Sequence, residues 1–194
     1  MIVYGLTGSI GMGKSTAADM IKRMGIPVHD SDAEVHEVMR PGGLAFEEVA
    51  VTFPEAWDKK KHVIKRDVLA DIVFNNDGER EKLEGILHPY VRAAQQAFVR
   101  KSQVMGQNKV VLDIPLLFET GADKRVDETI VVTAPDFMQR QRVLSRAGMN
   151  EELFEKILSK QISDGEKRAR ADYVVQTGLG LAHTYRTLHE ILRP

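Results

Sequence analysis

A run of glycines near the amino terminus, with one lysine and two hydroxyl residues, has the spacing of a phosphate-binding loop. Gly8–Ser15 reads G-x-x-x-x-G-K-S and follows a short apolar run at residues 2–6. Glycines allow the backbone to close around a polyphosphate with N–H groups pointing inward, and the following helix presents its positive end to the same anion. The pattern therefore predicts a nucleoside triphosphate site. The alternative is a glycine-rich turn without a ligand.

The polar residues of this loop each suit one part of a triphosphate. Lys14 supplies a mobile positive charge for the terminal phosphates and for the phosphoryl group in transit. The Ser15 hydroxyl is placed to ligate Mg²⁺, and Thr16 can reach the α-phosphate. The residues expected to contact ATP are Gly8, Gly11, Met12, Gly13, Lys14, Ser15 and Thr16.

Two aspartates that follow predicted strands could serve the metal ion and an acceptor. Asp113 ends the apolar run Val110–Leu112, where enzymes with such loops hold a carboxylate linked to Mg²⁺. Asp32 follows the second predicted strand, at the edge where open α/β sheets bind ligands, and we assign it to the acceptor hydroxyl. The alternatives are an exposed strand end at Asp113 and, at Asp32, a simple helix start in which Ser31 and Glu34 form a capping box.

A charged helical segment between residues 136 and 170 carries cations that could close over the phosphates. Gln139, Arg142 and Arg146 have helical spacings of three and four, which places them on one face of a helix. Arg142 is the expected catalytic arginine, and both arginines are expected to bind ATP. The alternative is a solvated helix with ordinary surface arginines. The scarcity of apolar residues in the segment favours a lid.

The composition indicates one globular domain and excludes several classes of protein. The chain has 194 residues, a formal net charge of -1 and 43% hydrophobic residues, which disfavours a general nucleic-acid binder. Cysteine is absent, so disulfides and cysteine-ligated metals are excluded. No run approaches a membrane span or a secretory signal. We expect a cytoplasmic monomer or weak homo-oligomer with small-molecule substrates and without nucleic-acid or membrane partners.

Five short strand-like runs alternate with helical patterns, at residues 2–6, 25–29, 110–112, 129–132 and 173–175. The alternation predicts an α/β fold of the P-loop NTPase type, with a doubly wound, parallel five-stranded sheet, a helical substrate-binding insertion and a helical lid. In this single domain the core covers about residues 1–30, 109–136 and 171–194. The acceptor-binding insertion covers about 31–108, where we expect helices and no strand, and the lid about 137–170.

Among nucleotide-binding classes, the remaining motifs favour a small-molecule kinase. A GTPase switch needs N-K-x-D and D-x-x-G elements and a transporter ATPase needs an L-S-G-G-Q-like signature, and this sequence contains none of them. Kinases of small molecules need an acceptor-binding insertion and a cationic lid, and the chain has a candidate for each. A P-loop kinase of another metabolite or of a nucleotide, and a nucleotide-dependent switch, stay open as alternatives.

The order of these motifs resembles the dephospho-coenzyme A kinase family over nearly the full chain. The run Asp113-Ile114-Pro115-Leu116-Leu117-Phe118-Glu119 is the most specific of them. The other strings that carry the resemblance are Gly5–Thr16, Asp30-Ser31-Asp32, Arg66 with Val73-Phe74, Leu87-His88-Pro89, Gln139-x-x-Arg142-x-x-x-Arg146, and Gln161 with Ala171–Val175.

The resemblance implies an ATP- and Mg²⁺-dependent transfer of phosphate to the ribose 3′-hydroxyl of dephospho-coenzyme A, the final step of coenzyme A biosynthesis. It implies that Asp32 acts on the acceptor hydroxyl, and it places Thr177 in the segment near adenine, where Thr177 is expected to bind ATP. The residues that it assigns to the acceptor are Asp30, Asp32, Arg66, His88, Pro89, Leu116, Leu117 and Phe118.

Overall fold

The structure is a computed structural model that describes residues 1–193, the side chain of Asn75 excepted. The chain forms two compact units, the first of Met1–His29 with Lys101–Pro194 and the second of Asp30–Arg100. The strands are β1 (Ile2–Thr7), β2 (Val28–Asp30), β3 (Trp57–Asp58), β4 (Val63–Ile64), β5 (Lys109–Asp113), β6 (Glu128–Thr133) and β7 (Tyr173–Gln176). The α-helices are α1 (Lys14–Arg23), α2 (Ser31–Val38), α3 (Phe46–Thr52), α4 (Arg66–Asn75), α5 (Asp77–Val104), α6 (Asp136–Leu144), α7 (Glu151–Ser159), α8 (Asp164–Arg170) and α9 (Leu181–Ile191).

The first unit is built on a parallel five-stranded sheet in the order β2-β5-β1-β6-β7. Strand β1 pairs in parallel with β5 and β6, and β6 pairs in parallel with β7. The central strands are almost continuously apolar, as expected where helices cover both faces of a sheet. Val110, Val111 and the run Ile130–Val132 are fully buried. The predicted α/β class and all five predicted strands are confirmed.

Helices α1 and α9 cover the core of the first unit with their apolar faces. α1 buries Ala17, Ala18 and Ile21, and α9 buries Leu188, all within one cluster with residues of β1, β6 and β7. Burial of this kind supplies the main favourable free energy of folding. The loop at residues 8–13 is therefore anchored by a buried strand at one end and a buried helix face at the other.

The second unit has its own core, in which helical side chains predominate. Phe46 and Val49 of α3 are fully buried, and Leu83 and Leu87 of α5 pack into the same cluster. The expectation that this stretch contains no strand is wrong in one place, because β3 and β4 form an antiparallel hairpin. Strands of two residues each are too short to produce an alternating pattern in a sequence, which is why the hairpin was missed.

Helix α5 is the longest, with 28 residues, and it contains Pro89 in its interior. Proline has no N–H to donate and usually kinks or ends a helix, so packing of the flanking turns must support this position. Leu87 and Val91, on either side of Pro89, are both buried. None of the helices within residues 1–193 combines the length and the apolar run that crossing a membrane requires.

Candidate active site

The predicted phosphate loop lies between the carboxyl end of β1 and the first turn of α1. Gly11 and Gly13 have φ angles of 79° and 91°, a left-handed region that glycine enters without strain. Gly13 precedes α1, where no described side chain caps the helix and the first described turn contains no acidic residue. The N–H groups at this end of α1 are thus presented to an anion, and the helix dipole adds to the attraction.

Side chains outside the loop bind three successive carbonyl groups of its backbone. These bonds run from Gln139 Nε2 to Ile10 O at 2.8 Å, from Arg142 Nη1 to Gly11 O at 3.3 Å and from Thr177 Oγ1 to Met12 O at 2.8 Å. In a trans peptide the C=O and the following N–H point in opposite directions, and the described peptide bonds include none that is cis. The three side chains therefore hold these carbonyl groups pointing away from the inside of the loop, where their oxygen atoms would repel a phosphate.

Lys14 and Asp113, predicted to serve the phosphates and the metal ion, are brought together by the pairing of β1 with β5. The register aligns Leu6 with Asp113, and the Lys14 ammonium lies 2.7 Å from Asp113 Oδ1. The two side chains are 16% and 5% exposed, so water screens their attraction only weakly. At the end of β1, the Thr7 hydroxyl donates to Pro115 O at 2.8 Å, in the segment after β5.

The residues predicted to bind Mg²⁺ are chemically suited to it. Ser15 and Asp113 offer hydroxyl and carboxylate oxygens, the hard ligands that Mg²⁺ prefers. Residues 1–193 contain no group of three or more histidine, cysteine, aspartate or glutamate side chains able to hold a metal ion by themselves. Mg²⁺ commonly takes one or two protein ligands and completes its shell with phosphates and water.

Arg142 lies against the loop, whereas Arg146 does not share its helix. Arg142 donates through Nη1 to Thr177 Oγ1 at 3.1 Å as well as to Gly11, and through Nη2 to Thr177 O at 3.3 Å. Helix α6 ends at Leu144, so the expectation that one helical face carries Gln139, Arg142 and Arg146 holds only for the first two. Arg146 follows in an exposed turn whose geometry no helical period predicts.

Thr177 links the end of the sheet to the phosphate loop. A Cβ atom on Gly13 would lie 3.0 Å from Thr177 Oγ1, so a glycine is needed where the two segments approach. The site prediction placed Thr177 near the nucleotide base, and the structure places its hydroxyl on the carbonyl of Met12. An adenine contact by Thr177 stays a prediction.

Two glutamines that the sequence analysis did not assign to the site contact the loop. Gln139 donates to Ile10 O, and Gln161 Oε1 accepts from Ile10 N at 3.2 Å. Gln139 was recognisable as the residue one turn before Arg142 and as part of the family string that contains both. Gln161 was recognisable only as part of a family pattern, because it is separated from Ile10 by 151 positions in the chain.

A cavity of about 630 Å³ adjoins the loop at Ser9 within the first unit. Its walls come from α6, α7 and the turn between α7 and α8, and Gln139 and Gln161 are among the lining residues. Phe137 and Phe154 add apolar surface. Cavities of this size are typical of small-molecule sites, so the unit offers a concave surface next to the phosphate loop.

In the second unit, Asp30 and Asp32 lie at the start of α2, but the predicted capping box is wrong. Asp30, not Ser31, is the N-cap, and its Oδ1 accepts from Asp32 N and Ala33 N at 3.0 Å each. A carboxylate is as good a cap as a hydroxyl, so the sequence left two choices. The Ser31 hydroxyl accepts instead from Gln95 Nε2 at 2.9 Å, and Asp32 is exposed.

The other predicted acceptor residues of this unit lie on two helices. Arg66 is the first residue of α4 and is exposed, which leaves its guanidinium accessible to solvent. His88 and Pro89 are interior residues of α5, with His88 half-buried and Pro89 exposed. Their roles towards an acceptor stay predictions.

The predicted acceptor residues after β5 are largely packing residues in this conformation. Leu117 is fully buried, and its methyl groups lie about 3 Å from where a Cβ on Gly5 would be. Phe118 is also buried, with the guanidinium of Arg170 4.5 Å from the centre of its ring. Leu116 is half-buried. A contact of these residues with an acceptor stays a prediction.

Comparisons with known proteins cover nearly the whole chain. The family model described as dephospho-CoA kinase matches residues 1–182. A dephospho-CoA kinase of Novosphingobium aromaticivorans is 48% identical over 191 residues, covering 98% of this chain and 93% of its own. A crystal structure of a protein from Thermus thermophilus superimposes with a TM-score of 0.85 at 32% identity, covering 98% of this chain and 95% of its own.

A dephospho-CoA kinase from Campylobacter jejuni superimposes with a TM-score of 0.72 at 26% identity, and the match covers 98% of this chain and 95% of that one. Matches of this extent include both units and every string on which the resemblance was based, from the phosphate loop to Ala171–Val175. The chain belongs to the dephospho-CoA kinase family.

Proposed function

We propose that this chain transfers the γ-phosphoryl group of ATP to the ribose 3′-hydroxyl of dephospho-coenzyme A, the final step of coenzyme A biosynthesis. This is the known role of the family to which the chain belongs. The structural observation that carries the proposal is the loop at residues 8–13. Its carbonyls are bound from outside, and Lys14 and Asp113 lie together beside it.

The phosphate-binding residues would act mainly by position and charge. Lys14 would leave Asp113 for the β- and γ-phosphates, and its positive charge would stabilise the phosphoryl group in transit. Arg142 would supply a second positive charge from its position beside Gly11 and Thr177. Ser15 and Asp113 would hold Mg²⁺, which when bound neutralises charge on the phosphates.

The acceptor would be held by residues of the second unit. Asp32 would accept a hydrogen bond from the 3′-hydroxyl and aim its oxygen, because a loose transition state needs alignment more than a strong base. Arg66 and His88 would bind polar groups of dephospho-coenzyme A, and Asp30 and Pro89 would also contact it. The roles of residues 31–108 as an acceptor-binding insertion and of residues 137–170 as a lid are part of this proposal.

The substrate proposal is tested with a panel of acceptors. ADP release is measured with Mg·ATP and, in turn, dephospho-coenzyme A, shikimate, gluconate and nucleoside monophosphates. We expect turnover well above the ATP-only background with dephospho-coenzyme A and with no other acceptor of the panel. Turnover with a different acceptor would instead support another metabolite or nucleotide kinase, and nucleotide binding without acceptor-dependent turnover would support a switch.

The role of Asp32 is tested with Asp32→Asn. This change keeps the side-chain size but weakens the acceptor for the hydroxyl, so we expect kcat to fall by about a hundredfold or more while the Kd for ATP changes little. The matched control is Asp67→Asn, which alters another acidic residue in the first turn of a helix of the same unit. Near-normal kcat in Asp32→Asn would remove Asp32 from the mechanism.

Assembly and location complete the proposal. The chain would work as a monomer or weak homo-oligomer in the cytoplasm, on small-molecule substrates and without nucleic-acid or membrane partners. Sedimentation at micromolar concentration, with and without ATP, tests the oligomeric part. A tight oligomer would contradict it.

A further inference from the structure

One residue of the phosphate loop, Ile10, is held by glutamine side chains at both of its backbone polar groups. Gln139 Nε2 donates to Ile10 O at 2.8 Å, and Gln161 Oε1 accepts from Ile10 N at 3.2 Å. Gln139 is buried, and Gln161 is half-buried. Because a backbone N–H can only donate and a carbonyl can only accept, the two amides must present opposite ends to the same residue.

These two bonds set the orientation of two successive peptide groups. In the Ser9–Ile10 peptide the N–H points to Gln161, so Ser9 O must face the other way, where it accepts from Met12 N at 3.1 Å and closes the turn. In the Ile10–Gly11 peptide the C=O points to Gln139, so the Gly11 N–H faces away from that side chain. Gly11 has a φ of 79° and could otherwise allow this peptide to flip.

The residue that follows the second glutamine is held by an ion pair. Glu119 Oε1 accepts from the backbone N–H of Ile162 at 3.1 Å and lies 2.8 Å from the ammonium of Lys167. Lys167 is fully buried, and the Glu119 side chain is 12% exposed. The residue after Gln161 is therefore tied to the segment that follows β5, which limits where the Gln161 amide can lie.

From this geometry we propose that Gln139 and Gln161 are positioning residues for phosphoryl transfer. Together they lock the Ile10 backbone in the orientation in which the loop receives the phosphates of ATP. Neither side chain needs to touch the reacting atoms. The inference deepens the proposed function and rests on it for the ligand, a nucleoside di- or triphosphate in the loop.

Two isosteric variants with the same charge change separate this role from simple electrostatics. Gln161→Glu keeps an oxygen that can accept from Ile10 N, whereas Gln139→Glu replaces the donor with a carboxylate that faces the Ile10 carbonyl. Both add one negative charge beside the loop. We expect the Kd for ADP, measured by calorimetry, to rise at least about tenfold more in Gln139→Glu than in Gln161→Glu, with kcat/KM for ATP changing in parallel.

The control is Gln141→Glu, an exposed position of α6 that makes the same charge change on the same helix. We expect its Kd for ADP to stay within about twofold of that of the unaltered protein because exposed charges are well screened. Equal losses in Gln139→Glu and Gln161→Glu would overturn the proposal, since charge alone would then explain them. Losses no larger than in the control would overturn it as well.

Neutral variants cover the case in which a buried glutamate prevents folding. Gln139→Met and Gln161→Met each remove one bond to Ile10 without adding charge, and each should raise the Kd for ADP by about threefold to tenfold, with the circular dichroism spectrum unchanged. Unchanged affinity in both folded variants would contradict the proposal. Calorimetry with ADP needs no acceptor, so normal binding by the unaltered protein without turnover of dephospho-coenzyme A would refute the proposed function alone.

Discussion

At the scale of single residues, the ion pair with Asp113 holds the flexible side chain of Lys14 beside the phosphate loop. The ammonium is held 2.7 Å from Asp113 Oδ1 in a region with little solvent. A lysine is a flexible point charge, so it can exchange one anionic partner for another at the cost of a few side-chain rotations. Under the proposed function, this contact would hold Lys14 close to the place where the terminal phosphates bind.

Lys14→Met should abolish most activity and also reduce stability. We expect kcat/KM for ATP to fall by about a thousandfold because the charge on the terminal phosphates loses its partner. The free energy of unfolding should fall by about 2 kcal/mol because a positive charge next to a buried carboxylate is removed. Steady-state kinetics and urea denaturation measure the two effects.

The control for this change is Lys22→Met, which removes an exposed lysine of the same helix that lies 3.8 Å from Asp19. Exposed ion pairs contribute about 0–1 kcal/mol, so both activity and stability should stay close to normal. The double variant Lys14→Met/Asp113→Asn should recover part of the lost stability but no activity. Equal stability of Lys14→Met and Lys22→Met would contradict the importance of the pair.

Tyr4 on β1 gives the stability of the protein a dependence on alkaline pH. Burial, and after it the negative charge of Glu128, raise the pKa of Tyr4 from 10.0 to about 12. Between pH 10 and pH 12 the phenol ionises in the unfolded chain but stays neutral in the folded one, so the unfolded state gains stability as the pH rises. Neutral Tyr4 contributes its full stabilisation of the folded state below pH 10, and this contribution is lost as the pH rises from 10 to about 12.

Tyr4→Phe tests this dependence. The unaltered protein should lose on the order of 1 kcal/mol more of its free energy of unfolding between pH 9 and pH 12 than the variant does. Urea titrations at four pH values measure the difference. Parallel curves for the two proteins over this range would show that Tyr4 does not titrate as described.

At the scale of elements, a short side-chain bridge joins the beginnings of β6 and β7. Asp172 Oδ2 accepts from Thr129 N and from Thr129 Oγ1, both at 2.7 Å, and Thr129 Oγ1 in turn accepts from Asp172 N at 3.0 Å. The hydrogen bond from the Thr129 hydroxyl, followed by that from its backbone N–H, lowers the pKa of Asp172. The bridge lies next to the parallel register that begins at Ile130 and Tyr173.

Asp172→Asn should weaken this bridge at neutral pH but not in acid. Because the pKa of Asp172 is lowered in the folded state, ionised Asp172 stabilises the protein at pH values above 3.8, the ordinary pKa of aspartate. This stabilisation is lost as the pH falls through the folded-state pKa. We expect the variant to be less stable by about 1 kcal/mol at pH 7, with the gap closing below pH 3.8. Thr129→Val should show the same trend, and a gap independent of pH would contradict it.

At the scale of the whole molecule, the two units contribute different parts of the proposed function. The first unit contains the phosphate loop, Lys14, Asp113 and the residues that hold the loop, while the second contains Asp32, Arg66 and His88. Each unit buries its own apolar cluster. Because the phosphate loop and the residues that hold it all belong to the first unit, binding of a nucleotide to the full chain can be measured without an acceptor.

ATP should stabilise the full chain against heat, and Mg²⁺ should increase the effect. A ligand present at 100 times its Kd adds about 2.7 kcal/mol, which corresponds to a rise in Tm of about 5–10 °C for a protein of this size. Calorimetric scans with ATP and Mg²⁺, and again with EDTA, measure both contributions. The Lys22→Met control should show the full rise, whereas Lys14→Met should show a much smaller one; equal rises would contradict a role for Lys14 in binding.

Local sequence determined the elements whose formation depends on near neighbours. The glycine, lysine and serine spacing of residues 8–15 fixed the loop, because positive φ angles and a helix start are local requirements. The five apolar runs fixed the strands, since a strand covered on both faces needs continuous apolar residues. Together with the family strings, these patterns also identified Lys14, Asp113 and Arg142, which the structure places around one loop.

Tertiary structure alone decided which distant side chains meet that loop. Gln161 is 151 positions from Ile10, and Lys14 is 99 positions from Asp113. The first contact therefore depends on how the turn between α7 and α8 packs, and the second on the register of β1 with β5. The choice of Asp30 over Ser31 as a cap was likewise open because both residue types are good caps, and the β3–β4 hairpin was open because its strands have only two residues each. Short-range patterns specify elements, whereas the pairing of polar groups far apart in the chain is settled only when the whole core packs.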